Sequence, residues 1–163
     1  MYKSVKDSIP QGAPDPYFLT FLLIRRGSTG NDVRFAQRML TLFMPDDYGD
    51  IGVDGIFGFR TESAVIDFQE RNGLHADGIV GAMSWNRLCP TVSIDYHYWG
   101  KERAIREVQR ILAEGEYISE DDVDGVFGRK TEHGIWTLQQ KYDLYVDGKW
   151  GPQCWNVAEQ GFR

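Results

Sequence analysis

Four five-residue segments constrain what this chain can fold into. Each is Asp-Gly, two mostly apolar residues, then Gly: DGIFG at 54–58, DGIVG at 77–81, DGVFG at 124–128 and DGKWG at 147–151. Within each half the two copies begin 23 residues apart, and the halves are displaced by 70. A repeat of this kind means one small unit built twice, each copy carrying two similar turns. Asp-Gly favours a tight turn because the Asp side chain bonds its own downstream backbone and Gly accepts positive φ, so the next Phe, Val or Trp can point inward. The closing Gly stands where a helix starts: Phe59-Arg60-Thr61-Glu62 and Pro152-Gln153-Cys154-Trp155 read as first turns, and Pro is favoured at the first helical position. Asp54, Gly55, Gly58, Asp77, Gly78, Gly81, Asp124, Gly125, Gly128, Asp147, Gly148 and Gly151 are therefore expected to be scaffold.

Taken in order, residues 1–22 read as a Pro-rich arm or linker able to join a catalytic domain or protein partner. The apolar run Tyr17 to Ile24 fits an extended or a helical segment, since period alone does not separate them. A first module is expected over 23–90, a connector over 91–100 carrying Tyr96, His97, Tyr98 and Trp99, and a second module over 101–163. Helices are expected near Asp32–Phe43, Phe59–Arg71, Ala82–Leu88, Lys101–Glu114, Arg129–Tyr142 and Pro152–Gln160. Their inner faces carry Val33, Ala36, Gln37 and Leu40, then Ala64, Val65 and Phe68, and Ala104, Ile105, Val108 and Leu112. The expected fold is mainly α, two tandem three-helix modules with short turns or strands.

A hydrophobic content of 42%, with 13% aromatic, suffices for packed cores even in units of roughly 65 residues. The formal charge of −6 argues against nucleic acid or an anionic membrane, both of which need clustered Lys and Arg. The longest apolar run falls far short of the ~20 residues of a spanning helix, and no basic segment precedes it as in a signal peptide. Neither Cys89 nor Cys154 recurs at its partner position, Glu159 or Ser84, and both are expected to be free thiols.

Val53 to Gly58, Thr61, Ala64-Val65, Phe68-Gln69, Gly73-Leu74, Asp77-Gly78, Gly81 and Trp85 form a pattern that resembles peptidoglycan-binding domain 1, including its lead at Gly27 to Val33 and its Ala36-Gln37 pair. Val108-Gln109, Val123 to Gly128, Thr131, Leu138-Gln139, Leu144, Asp147-Gly148, Gly151 and Trp155 repeat it. The resemblance implies tandem modules that hold bacterial or phage cell-wall hydrolases, endolysins or autolysins, on peptidoglycan, at the wall or in the periplasm, without themselves being catalytic. The second module departs from the pattern in its lead, Trp99 to Glu102, and in Gly134, where alanine is usual.

The chemistry of a wall-lytic site is not visible. His75, His97 and His133 match no zinc spacing, the cysteines lack the setting of a nucleophile, and small helical modules supply no cleft for a carboxylate pair. Glu120 to Gly125 looks like part of a calcium loop, but Thr131 falls where the bidentate acid belongs. No cofactor and no metal are expected. Ligand candidates are positions the fold does not need. Ile66 and Trp136 follow the core positions of their helices by ~100°, and Trp136 either stacks a sugar ring or packs on the other module. His75 and Tyr145 precede a pentamer and are expected to be exposed. Arg60 and Lys130 place a cation in a first helical turn, against the helix dipole, as an anionic partner such as a stem-peptide carboxylate would require, or stand there as solvated charge. Gln69 and Gln139 are expected to bond loop backbone, and Trp150 to be core. The resulting expectation is non-catalytic binding of peptidoglycan, against a protein–protein adaptor on the same fold or a wall hydrolase with an unrecognised site.

Overall fold

The computed structural model describes residues 21–44, 51–95 and 101–161. These belong to two units, one within Leu19–Pro90 and one within Thr91–Arg163. The first carries α1 (Asn31–Phe43), α2 (Phe59–Arg71) and α3 (Ala82–Leu88); the second carries α4 (Lys101–Glu114), α5 (Arg129–Lys141) and α6 (Pro152–Gln160). The fold is mainly α, and β pairing among the described residues is limited to isolated bridges. No described helix is long and apolar enough to cross a membrane.

The helices form where apolar residues recur at helical spacing. Ala64, Val65 and Phe68 of α2, and Ala104, Ile105, Val108 and Leu112 of α4, are buried as their spacing predicts. Each large side chain so enclosed contributes roughly 1.5–3 kcal/mol relative to its exposed state. Helix α1 is buried more widely than its single stripe suggests, since Phe35, Met39 and Phe43 join Val33, Ala36 and Leu40. For Phe35 the cover is the segment before the helix: the Phe21 ring lies 5.3 Å from the Phe35 ring and 4.5 Å from that of Trp85.

The described end of the Tyr17 to Ile24 run is extended, not helical. Ile24 exchanges backbone hydrogen bonds of 3.2 and 2.9 Å with Val80, Leu22 N donates to the Asp32 carboxylate, and the Trp85 indole donates to Leu22 O at 2.9 Å. Val92 makes the equivalent bridge to Trp150, at 2.9 Å both ways. Tyr96, His97, Tyr98 and Trp99 lie outside the described residues, as do residues 1–20.

The four pentamers share one construction. In each, the Asp Oδ1 accepts from the N–H two residues on, at 2.8–2.9 Å. The Gly that follows has φ of 71–79°, the left-handed region that a Cβ disfavours. The fourth residue, Phe57, Val80, Phe127 or Trp150, is buried, and the closing Gly becomes the N-cap of α2, α3, α5 or α6.

A buried glutamine from the preceding helix locks each turn. Gln37 places its amide nitrogen 2.9–3.0 Å from Asp54 Oδ1, Ile56 O and Thr61 Oγ1, while its oxygen accepts from Gly55 N. Gln69 does the same for Asp77, Ile79, Ser84 and Gly78. Gln109 serves Asp124, Val126, Thr131 and Gly125, and Gln139 serves Asp147, Lys149, Cys154 and Gly148. Helix, turn and the next helix are thus tied through one side chain, whose amide nitrogen and oxygen are both engaged in all four copies. Cys154 departs from its expected place outside the repeat. It has no cysteine counterpart there, yet it occupies the hydroxyl position of the lock, with Sγ 3.8 Å from Gln139.

The other departure, Gly134, has a packing cause. A Cβ there would stand 2.6 Å from Ile118 Cγ2, so the chain entering the third pentamer lies closer to α5 than an alanine allows.

Candidate functional site

Four residues of α5 recur at i, i+3, i+4 and i+7: Arg129, Glu132, His133 and Trp136. That spacing puts them on one outward stripe, while Thr131, Ile135 and Leu138 face the core. Together with Val146, Asp147 and Gly148 of the fourth turn they line a surface concavity of about 570 Å³. Trp136 is 43% exposed there, and its ring lies 6.2 Å from that of His133 with 23° between planes.

The rim is held from beneath. Gln139 Oε1 accepts from Asp147 N at 3.1 Å and Gly148 N at 3.0 Å, and Gln153 Oε1 accepts from Tyr145 N at 3.0 Å. Asp147 Oδ1 is engaged by Lys149 N and Gln139. A Cβ at Gly148 would meet Glu132 Cγ at 3.0 Å, so the Glu132 stem lies directly on the turn. Arg129 and Glu132 form no ion pair among the described residues, although a helical turn separates them. The site therefore combines an aromatic wall with unmatched charge of both signs.

Of the ligand candidates read from sequence, Trp136 alone lines this concavity. Lys130, one residue off the stripe, pairs with Asp122 at 2.7 Å, and that bond holds its ammonium pKa above the usual value. Arg60 and His75 are exposed, and Ile66 is half-buried. Tyr145 is half-buried rather than exposed, because the backbone bond to Gln153 draws its segment onto α6. Gln69 and Gln139 bond turn backbone and Trp150 is core, as expected. Arg129, Glu132 and Val146 carry no candidate role in the sequence reading, and His133 is weighed there only as a zinc ligand; the stripe from 129 to 136 is the signal that finds the three helical ones.

The matching surface of the first module is differently filled. Phe59 replaces Arg129 and is 68% exposed, with the Arg26 guanidinium 5.8 Å from its ring centre. Glu62 replaces Glu132 and is paired with Arg26 at 3.2 Å. Ser63, Ile66 and Ala76 stand where the second module has His133, Trp136 and Val146.

The remaining titratable groups belong to the scaffold. Backbone N–H donation from Ile56, Ile79 and Val126, then the glutamine amides, hold Asp54, Asp77 and Asp124 below the ordinary carboxylate range. Asp124 is thus engaged by its turn, not by a calcium loop, and among the described residues no three His, Cys, Asp or Glu side chains stand together as a metal site. Both cysteines are free and buried; burial raises the Cys89 thiol well above its usual pKa and pushes Cys154 up to about 12, which leaves neither poised as a nucleophile.

Comparison with known proteins bears on both units. The family model described as "Putative peptidoglycan binding domain" matches residues 29–88 and again 101–157. The chain is 26% identical over 155 residues to a "Probable N-acetylmuramoyl-L-alanine amidase" of Bacillus licheniformis, covering 81% of this chain and 43% of that protein. It is 35% identical over 77 residues to the zinc D-Ala-D-Ala carboxypeptidase of Streptomyces albus G, covering 47% of this chain and 30% of that one. Among solved structures, the SleB N-terminal domain is 34% identical, with 44% of this chain and 93% of that chain covered and a TM-score of 0.36. The chain thus spans less than half the length of either enzyme.

Proposed function

The chain belongs to the peptidoglycan-binding domain family, and from that premise we propose that it binds bacterial cell-wall peptidoglycan without cleaving it, holding a lytic activity on its substrate. The observation that carries this reading is the half-exposed Trp136 in its concavity, at the position where the first module has Ile66. A large aromatic ring beside unpaired charges on a protein surface supplies apolar contact and orientation at one place, the composition of a ligand site. The second module is the ligand-bearing one in this proposal, and the first serves chiefly as a matching scaffold. The place of action is the wall, and the partner in lysis is a catalytic domain, joined to the chain or separate, of the kind named in its longer relatives.

Sedimentation with purified insoluble peptidoglycan tests the reading. The chain is expected in the pellet, with no fall in turbidity of the suspension. Trp136→Ala is expected to weaken retention at least tenfold, while Ile66→Ala leaves it within about twofold. Clearing of the suspension would make the chain an enzyme, and failure to pellet would remove peptidoglycan as its partner.

A further inference from the structure

If the chain binds the wall polymer as proposed above, the chemistry of the concavity narrows which part of that polymer it takes. Its two halves of charge are both unused. Arg129 has no acidic partner among the described residues, and Glu132 has no basic one, although residues three apart on a helix lie within ~6 Å of each other and readily pair. In the first module the same glutamate is satisfied by Arg26 at 3.2 Å, and a neutral Phe59 replaces the arginine. The second module thus carries a cation and an anion facing one hollow, with Asp147 adding a second carboxylate on the rim whose Oδ1 is already engaged by the turn.

A neutral sugar ring would leave both charges unmatched. Stacking by Trp136 alone does not call for them, and one side of that indole already has the His133 ring as a neighbour. A ligand with one carboxylate would use Arg129 and face two carboxylates; a ligand with one ammonium would meet the arginine. Both signs are answered only by a group carrying a carboxylate and an ammonium a few ångströms apart, with an aliphatic stem to lie against Trp136 and Val146. Charge-assisted bonds to a partly enclosed surface are the strong ones, and guanidinium matches carboxylate geometry.

We propose that this concavity is a subsite for the stem peptide rather than the glycan, and that it recognises the free zwitterionic end of a diamino-diacid residue such as diaminopimelate, its carboxylate on Arg129 and its ammonium on Glu132. The test is titration of the whole chain, by calorimetry or by chemical-shift change, with three probes: the muramoyl tripeptide ending in diaminopimelate, the same tripeptide amidated at the side-chain carboxyl, and the tripeptide ending in lysine. The first is expected to bind at least tenfold more tightly than the other two. Arg129→Ala should bring all three within about twofold, and Glu132→Gln should make affinity indifferent to N-acetylation of the side-chain amine, read with the N-acetylated diaminopimelate tripeptide as a fourth probe. Both residues lie at the surface, and an unchanged circular-dichroism melt identifies variants that still fold. Equal affinity for the diaminopimelate and lysine probes, with Arg129→Ala without effect, overturns the proposal. If the chain then still pellets with whole peptidoglycan in a Trp136-dependent way, the subsite chemistry is wrong and the binding function stands. If it pellets with neither diaminopimelate-type nor lysine-type walls, the binding function falls with it.

Discussion

In the first module Glu62 is held by Arg26 and Ile66 lies half-buried, its side-chain carbons 3.4–3.5 Å from where a Gly78 Cβ would stand. Seventy positions on, Glu132 has no ion partner among the described residues, Arg129 replaces Phe59, and Trp136 lines an open concavity. Yet in the turns beneath, the bond from glutamine to the turn aspartate is 2.9–3.0 Å in all four, from Gln37 and Gln69 in one module and Gln109 and Gln139 in the other. Identical frames can therefore carry unlike surfaces. In a duplicated fold the informative residues are those that break the duplication, because the ones that keep it are already explained by folding.

The sharpest way to break the shared frame is to remove a lock. Gln37→Leu and Gln109→Leu each strand a buried Gly N–H and a threonine hydroxyl, and each is expected to cost roughly 2–4 kcal/mol, measured by urea titration. Equal losses would show that the two modules depend on the device equally. Acid approaches the same knot from the carboxylate side. Asp54, Asp77 and Asp124 have folded pKa values below the ordinary one near 3.9, so their stabilisation is complete above that pH and fades as the pH falls through the lower folded values. Asp124→Asn keeps the Oδ1 acceptor and is expected to flatten the acid limb of a pH–melting curve.

Smaller effects separate the modules. Gly134→Ala gains helix propensity of about 1 kcal/mol but drives a methyl against Ile118, and a net loss of about 1 kcal/mol is expected, recovered in the Gly134→Ala, Ile118→Ala pair. Ala64→Gly, its counterpart in α2, removes a buried methyl and is expected to cost about as much as the propensity alone, 1 kcal/mol, or more. Asp143 holds φ of 53° where the first module has Gly73 at 67°, so Asp143→Gly is expected to be neutral or to stabilise by up to ~1 kcal/mol. Cys154→Ser restores the hydroxyl of the other locks and is expected to change stability by less than about 1 kcal/mol. Neither thiol should react with a disulfide reagent faster than the chain unfolds.

Much of the fold is legible in the sequence because the repeat is gapless from Val53 to Leu88 against Val123 to Ala158. Recurrence identifies the turns, the helix starts and the inner faces, since each depends on local chemistry at fixed spacing. The locks are half legible: Gln69 and Gln139 recur and read as backbone partners, but Gln37 and Gln109 stand 17 and 15 residues before their turns, and nothing local links them. The concavity is legible only through Trp136. Its neighbours Arg129 and Glu132 look like ordinary solvated charges in sequence, and it is their place on one hollow beside Trp136 that distinguishes them. Tyr145 escapes a local reading because its burial depends on Gln153, eight residues away across a turn.

The third residue of each pentamer gives the lock its carbonyl and its N–H, while its side chain stays out of it. Ile56 and Val126 are exposed, Lys149 is exposed, and Ile79 is half-buried. A position bound by its main chain and free in its side chain can be recoded without renegotiating the fold, and the outward stripe of α2 or α5 beside it has the same liberty. Such a chain is suited to drift: one copy can keep its surface while the other explores a new specificity, with folding indifferent to the outcome. The same property makes it a practical display frame, in which an outward stripe such as 129, 132, 133 and 136 could be randomised as a set and selected against wall fragments of different chemistry.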